Sequence, residues 1–245
     1  MKLVQHTAAL AGALALTLVA GCGWFSKPAA DTQATTTTAT KKSPLPGLDP
    51  EVPVRQKIVV LGDSITAGFG VFQLEAYPAL LQTKVDAEGY NYEIVNAGES
   101  GDTSATALRR VDWLLDPNVR VLIVAVGGND ALRGIAPKAT RENIAAIIEK
   151  AFAKNVAVLL CGMEAPPNLG EDFVVAFRSI FGGLERDYPA IRRMPFLLEG
   201  VAGEASLNQA DGIHPTAAGQ QVIAAHVYEQ LKPVLDDLAS RSGGQ

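Results

Sequence analysis

From about residue 56 the sequence alternates short, nearly continuous apolar runs with segments of helical periodicity, and this alternation restricts the fold more than any other feature. The runs are KIVVLG (57–62), YEIVNAG (92–98), RVLIVAVG (120–127), VAVLLCG (156–162) and PFLLEG (195–200). A strand with one wet face alternates apolar with polar residues, whereas a strand covered on both faces is apolar nearly throughout. Between the runs lie AYPALLQTKVDAEG, TSATALRRVDWLLD, TRENIAAIIEKAFAKN and DFVVAFRSIFGGLERDY, and a last helix is expected over about 216–239. Ile144, Ile147, Ile148 and Phe152 recur at helical spacing, as do Val222, Ile223, Val227, Leu231, Val234 and Leu235. Strands separated by helices form a parallel sheet with both faces covered. The expected fold is α/β: a three-layer α/β/α, flavodoxin-like domain of about five parallel strands over residues 56–240.

Upstream the composition changes. Lys2 precedes the apolar stretch TAALAGALALTLVA (7–20), which has the length of a signal-peptide core and is short for a membrane span. The stretch ends in LVAGC, with small residues directly before Cys22, and this resembles a bacterial lipobox. The resemblance implies a lipoprotein signal over residues 1–21 and a lipidated Cys22; the alternative is an ordinary secretory signal with an incidental cysteine. Gly23 stands where an Asp would favour retention in the inner membrane, so the analogy implies a lipid-anchored envelope protein at the outer membrane, facing the periplasm. Residues 26–55 are rich in Thr, Ala, Pro and Lys without apolar periodicity, so residues 22–55 read as the lipidated cysteine followed by a disordered linker.

In a doubly wound sheet the ligand crevice lies at the carboxyl ends of the strands. That rule selects residues 62–70, 98–104, 127–134 and 162–170, all rich in small and polar residues. A fifth polar cluster, QADGIHPTAAG (209–219), precedes the last helix. The first loop, GDSITAGFG, could cradle a phosphate or present a serine. A Walker-type loop needs Gly, four residues, Gly and Lys; here the second glycine comes one residue late and is followed by Phe69. Gly62, Gly68 and Gly70 do not match the dinucleotide spacing either. A net charge of −5 argues against a protein built to grip nucleic acid. Two cysteines exclude a multi-disulfide framework, and Cys161, after an apolar run, reads as a small buried hydrophobe.

A serine nucleophile needs a base in hydrogen-bond reach and a group that orients the base. With His6 in the signal, the domain has two histidines. His226 falls within the last helix, whereas His214 lies in a loop three residues after Asp211. Taken alone, that loop is equally readable as a helix-capping segment with Thr216 as the cap. Two usable histidines and one free cysteine make no zinc site, and no metal or other cofactor is expected.

Four blocks, in order, resemble the SGNH (also called GDSL) hydrolase family: GDSIT (62–66), ESGDTS (99–104), GGND (127–130) and DGIHP (211–215). Within it the chain is most similar to the branch of thioesterase I/lysophospholipase L1 and the arylesterases, through SGDTS, GGNDALRG and APPNLG. The resemblance implies Ser64 as nucleophile, His214 as base and Asp211 as its orienting acid. It implies an oxyanion hole from the Ser64 and Gly101 backbone N–H groups and the Asn129 side-chain amide. Gly98, Gly127 and Gly128 read as turn residues, and Asp63 and Asp130 as supporting residues or caps. The chain differs from an α/β-hydrolase, whose Gly-x-Ser-x-Gly elbow lies mid-chain; here Thr66 takes the last position.

The resemblance implies a serine esterase acting on acyl esters or thioesters through an acyl-enzyme intermediate, with a carbohydrate or peptidoglycan O-acetylesterase as the alternative. Residues 69–74, 131–135 and 163–169 are expected to line the acyl side, and DFVVAFRSIFGGL to be either a further wall or a core helix. The expected partners are a small-molecule or lipid ester and, through the anchor, a membrane. A monomer is expected.

Overall fold

The computed structural model describes residues 55–242. The expected signal, Cys22 and nearly all of the linker lie outside the described residues. The chain runs β1 (Gln56–Gly62), α1 (Ser64–Ala67), α2 (Tyr77–Ala87), β2 (Tyr92–Gly98), α3 (Ser104–Leu114), β3 (Val119–Ala125) and α4 (Gly128–Leu132). It continues through α5 (Pro137–Ala153), β4 (Ala157–Cys161), α6 (Glu171–Asp187), β5 (Arg192–Met194) and α7 (Ala217–Ser242), with 3₁₀ turns at Gln73–Glu75 and Pro167–Leu169.

The five strands form one parallel sheet in the order β2-β1-β3-β4-β5. That is the flavodoxin-like order, with its switch point between β1 and β3. Helices α2 and α7 pack together, while α3, α5 and α6 form a second packed group. The apolar runs fill the core: Ile58, Val60, Leu61, Val121, Leu122, Ile123, Val124, Leu159 and Leu160 are fully buried. α5 starts at Pro137, three residues before the expected Thr140; proline suits a first helical turn because its missing N–H would have no intrahelical partner there.

The fifth strand departs from expectation. PFLLEG (195–200) is not a strand; β5 is the short triplet Arg192–Met194 just before it, of which only Met194 is buried. Pro195 lacks an N–H for a ladder, and the chain turns there, with the Leu197 N–H donating to the Gly162 carbonyl at 2.9 Å. Leu197 is nonetheless fully buried, so the segment's apolarity serves packing in a turn.

The register levels the carboxyl ends of the central strands. Gly62 is paired with Gly98 of β2 and with Ala125 of β3. The loops beginning at residues 63, 99 and 126 therefore start side by side. Gly98 is not a turn glycine, as expected from sequence, but a site of backbone contact: a Cβ there would lie 2.2 Å from the Ala67 nitrogen. It lets α1 rest on the end of β2. Gly127, by contrast, has φ 118° and does need glycine for its turn.

Gly98→Ala is expected to destabilise the domain by about 1–3 kcal/mol or more, because backbone cannot move aside as a side chain can. Gly182→Ala in α6, where the nearest atom to a new Cβ is 3.7 Å away, should instead stabilise by roughly 0.5–1 kcal/mol. Urea unfolding of the two variants measures both.

Candidate active site

Ser64 is the first residue of the one-turn helix α1, which directly follows β1. Asp63 caps this turn by accepting the Ile65 N–H at 3.0 Å, and Gly68 closes it in the left-handed region at φ 78°. A parallel strand that stops at Gly62 and turns at once into a helix leaves Ser64 half-buried at the switch point.

His214 reaches this point from 150 residues downstream. Its loop is pinned by the Gln209 N–H on the His214 carbonyl (2.8 Å) and the Thr216 N–H on the Leu207 carbonyl (2.9 Å). The Gln209 side-chain amide also donates to the Phe69 carbonyl at 2.7 Å, joining this loop to the one after α1. Beneath them the fully buried Gln220 of α7 donates to the Ile65 carbonyl (3.0 Å) and accepts the Tyr77 N–H (2.9 Å). One amide thus ties α7 to α1 and α2.

The His214 Nε2 lies 2.8 Å from Ser64 Oγ, and its Nδ1 lies 2.7 Å from an Asp211 carboxylate oxygen. The other Asp211 oxygen accepts the His214 and Ile213 backbone N–H groups. The His214 backbone bond, then its ring bond, then the Ile213 bond hold the Asp211 pKa down to about 2. An ionised carboxylate only accepts, so Nδ1 carries the proton and donates it. In the neutral imidazole Nε2 then offers its lone pair to the Ser64 hydroxyl.

The three expected oxyanion donors belong to one connected cluster. Asn129, on α4, donates through its amide to the Asp102 carbonyl at 3.0 Å and, at a longer 3.4 Å, to the Asp63 carboxylate. Gly101, next to Asp102, has φ 88°, a conformation suited to glycine. Among the described residues nothing accepts the Ser64 or Gly101 backbone N–H. Asp130 is fully buried and accepts the Ser104 N–H, the Ser104 hydroxyl and the Thr140 hydroxyl, so α4 is bolted to α3 and α5.

Sequence reasoning missed Arg110. Its guanidinium donates to Asp102 (2.6 Å), to the Gly62 carbonyl (3.0 Å) and to the Ala97 carbonyl (2.7 Å). It therefore clamps the ends of β1 and β2 to the loop that carries Gly101. On a helix whose arginines look solvent-facing, no local signal distinguishes it.

A cleft of about 450 Å³ opens beside Ser64 and His214. Leu132 and the Met163–Pro167 segment line it as expected, but the 69–74 loop does not. Phe69 packs instead on the His214 ring, 4.6 Å between centroids. α6 forms no wall; its Phe177, Ile180, Phe181 and Leu184 are buried in the core. Phe196 and Leu198 also line it, though their run, PFLLEG, is expected from sequence to be a strand, and Ala202 just beyond that run adds to the lining. A wider cleft of about 620 Å³, lined by Val156, Arg192 and Pro233, lies at the amino ends of β4 and β5, away from these groups. Cys161 is fully buried, and burial pushes its thiol up to about 12, so it is no nucleophile.

Comparison with known proteins matches these features to one family. The profile of the GDSL-like Lipase/Acylhydrolase family matches residues 60–222. The chain is 41% identical over 181 residues to the esterase TesA of Pseudomonas aeruginosa, covering 74% of this chain and 90% of that one. It is 35% identical over 180 residues to the thioesterase 1/protease 1/lysophospholipase L1 of Escherichia coli, covering 73% and 85%. A crystal structure of TesA superposes with a TM-score of 0.70 over 73% of this chain and 99% of that one.

Burial is the largest effect on Asp63, raising its pKa to about 6. A carboxyl group raised in the folded state contributes most below its unfolded value near 4, and that contribution is lost as pH rises through about 6. The difference corresponds to roughly 3 kcal/mol at most. Asp63→Asn, which keeps a capping oxygen, should raise stability at pH 8 and lose that advantage toward pH 4. Denaturant midpoints at the two pH values check the sign.

Proposed function

Because the chain belongs to the GDSL-like lipase/acylhydrolase family, we propose that it hydrolyses acyl esters or thioesters through a Ser64–His214–Asp211 triad and an acyl-enzyme intermediate. The observation that carries this reading is the hydrogen-bonded chain from Ser64 Oγ through both ring nitrogens of His214 to the ionised Asp211.

His214 Nε2 takes the hydroxyl proton as Ser64 Oγ attacks the acyl carbon. Asp211 stabilises the imidazolium that forms. The carbonyl electrons move onto oxygen, which the Ser64 and Gly101 N–H groups and one N–H of Asn129 receive. The other amide proton of Asn129 stays on the Asp102 carbonyl, which fixes the amide plane. The weaker contact to Asp63, at 3.4 Å, is the one an oxyanion replaces. The imidazolium then protonates the leaving alcohol or thiol. Water, deprotonated by the same nitrogen, cleaves the acyl-serine and restores the hydroxyl.

The cleft favours an acyl chain or aryl group over a sugar. Leu132, Met163, Phe196, Leu198 and Ile213 line it, and its Glu164 is paired with Arg178 at 3.0 Å. The relative named thioesterase 1/protease 1/lysophospholipase L1 agrees with that preference. The O-acetylesterase alternative gains no support from this lining. The same reading includes the lipid anchor at Cys22, which places the domain at the bacterial envelope.

Ser64→Ala should abolish hydrolysis of an aryl ester, and Asp211→Asn should lower kcat by roughly 10⁴-fold through the wrong imidazole tautomer. Asn129→Ala should cost ~10²–10³ in kcat. Steady-state kinetics on aryl, acyl-thioester, lysophospholipid and acetyl-sugar substrates test the triad and rank the substrate classes; turnover of the acetyl sugar alone would replace the acyl-ester reading. Mass spectrometry of the N-terminal peptide should find Cys22 as the first residue, carrying acyl chains.

A further inference from the structure

Seven large hydrophobic side chains are exposed among the described residues, and five of them lie on the segments that follow Ser64, end α4 after Asn129 or precede His214: Phe69, Phe72, Leu74, Leu132 and Ile213. Leu132 and Ile213 line the cleft, and Phe69 packs on His214. Phe72 and Leu74 stand further out, 80% and 81% exposed, and neither lines the substrate cleft. Residues 69–74 read FGVFQL, with no charged group. Glu75, which follows, turns its carboxylate back onto the Phe72 N–H at 2.9 Å. Catalysis by the triad does not require this outer apolar rim, and contiguous exposed apolar surface marks a binding face.

The chain outside the described residues indicates what covers it. Between Cys22 and Gln56 lie 33 residues, a contour of about 110–120 Å. A domain of this size is roughly 40 Å across. The linker joins β1 at its amino end and the rim lies past its carboxyl end, so the linker is long enough to pass the whole domain and let the rim meet the bilayer that holds its own anchor. Anchoring raises the effective concentration of the rim at that bilayer, so a few apolar side chains suffice for contact.

We propose that Phe72, which shares a depression with Gln209 and Thr216 of the His214 loop, and Leu74 join Phe69, Leu132 and Ile213 in seating the catalytic face on a phospholipid bilayer, so that the cleft opens onto the membrane. This rests on the Cys22 anchor of the preceding section. An ester carried in the membrane then reaches Ser64 without crossing water, and the anchor serves catalysis as well as retention.

The test separates docking from both lipidation and turnover. Residues 23–245, with a hexahistidine tag in place of the lipid, are held on phosphatidylcholine vesicles containing a nickel-chelating lipid. Trp24→Phe leaves Trp113 as the one tryptophan; α3 starts at Ser104, just after the Gly101 loop at the carboxyl ends of the strands, and Trp113 lies in its last turn, toward the opposite edge of the sheet. Adding Trp113→Phe and Phe72→Trp moves the reporter to the rim. Brominated lipid should quench and blue-shift the rim reporter while leaving Trp113 unchanged. Equal emission of the rim reporter on vesicles and in solution overturns the proposal. So does a blue shift that follows protein concentration without vesicles, which would mean that a second copy covers the rim. In a separate assay Phe72→Ser with Leu74→Ser should lower hydrolysis of a vesicle-embedded ester several-fold, with a soluble aryl ester hydrolysed within twofold of wild type. Equal loss on both substrates would assign the rim to the cleft and overturn docking.

Discussion

The in-register parallel pairing of β1 with β2 and β3 is the constraint on which the remaining structure depends. Because Gly62 is level with Gly98 and with Ala125, the segments that carry Ser64, Gly101 and Asn129 leave the sheet at one height. A slip of one residue would shift β1 by about 3.3 Å and turn its side chains to the opposite face. Burial on both faces prevents such a slip, since every residue from Ile58 to Leu61 is packed in the core.

Levelled strand ends are necessary for the site but leave its loops free to drift. Polar side chains with partners far away in sequence remove that freedom. Arg110 gathers the carbonyls of Gly62 and Ala97 with Asp102, Asp130 fastens α4 to two helices, and Gln220 joins α7 to the turn that holds Ser64. Each is a buried or half-buried group whose own satisfaction demands a particular loop geometry. Support and site are therefore coupled: losing one of these side chains strands its partners and loosens a candidate site residue together.

Much of this was legible beforehand, and the parts that were not share a cause. The four main strands and five long helices follow from the period of their apolar residues, which burial enforces locally. His214 was singled out because it is the loop histidine three residues after an aspartate, and such an i,i+3 pair meets by local turn geometry alone. PFLLEG misled because apolarity reports burial and not ladder pairing, and only Pro195 hinted at a turn. Gly98 misled because a glycine needed for contact with Ala67 is written the same way as one needed for a turn. Arg110 and Gln220 gave no warning, since their partners lie up to 48 and 155 residues away.

The sequence by itself determined the layered α/β architecture, the family and the candidate catalytic side chains, because these rest on periodicity and on short blocks of fixed spacing. Tertiary structure decided which loops line the cleft, which glycines and polar residues hold the expected donors in place, and that Phe72 and Leu74 are exposed outside the cleft. Those outcomes depend on distances between segments far apart in the chain. Such distances arise only when the core packs and each buried polar group finds a partner.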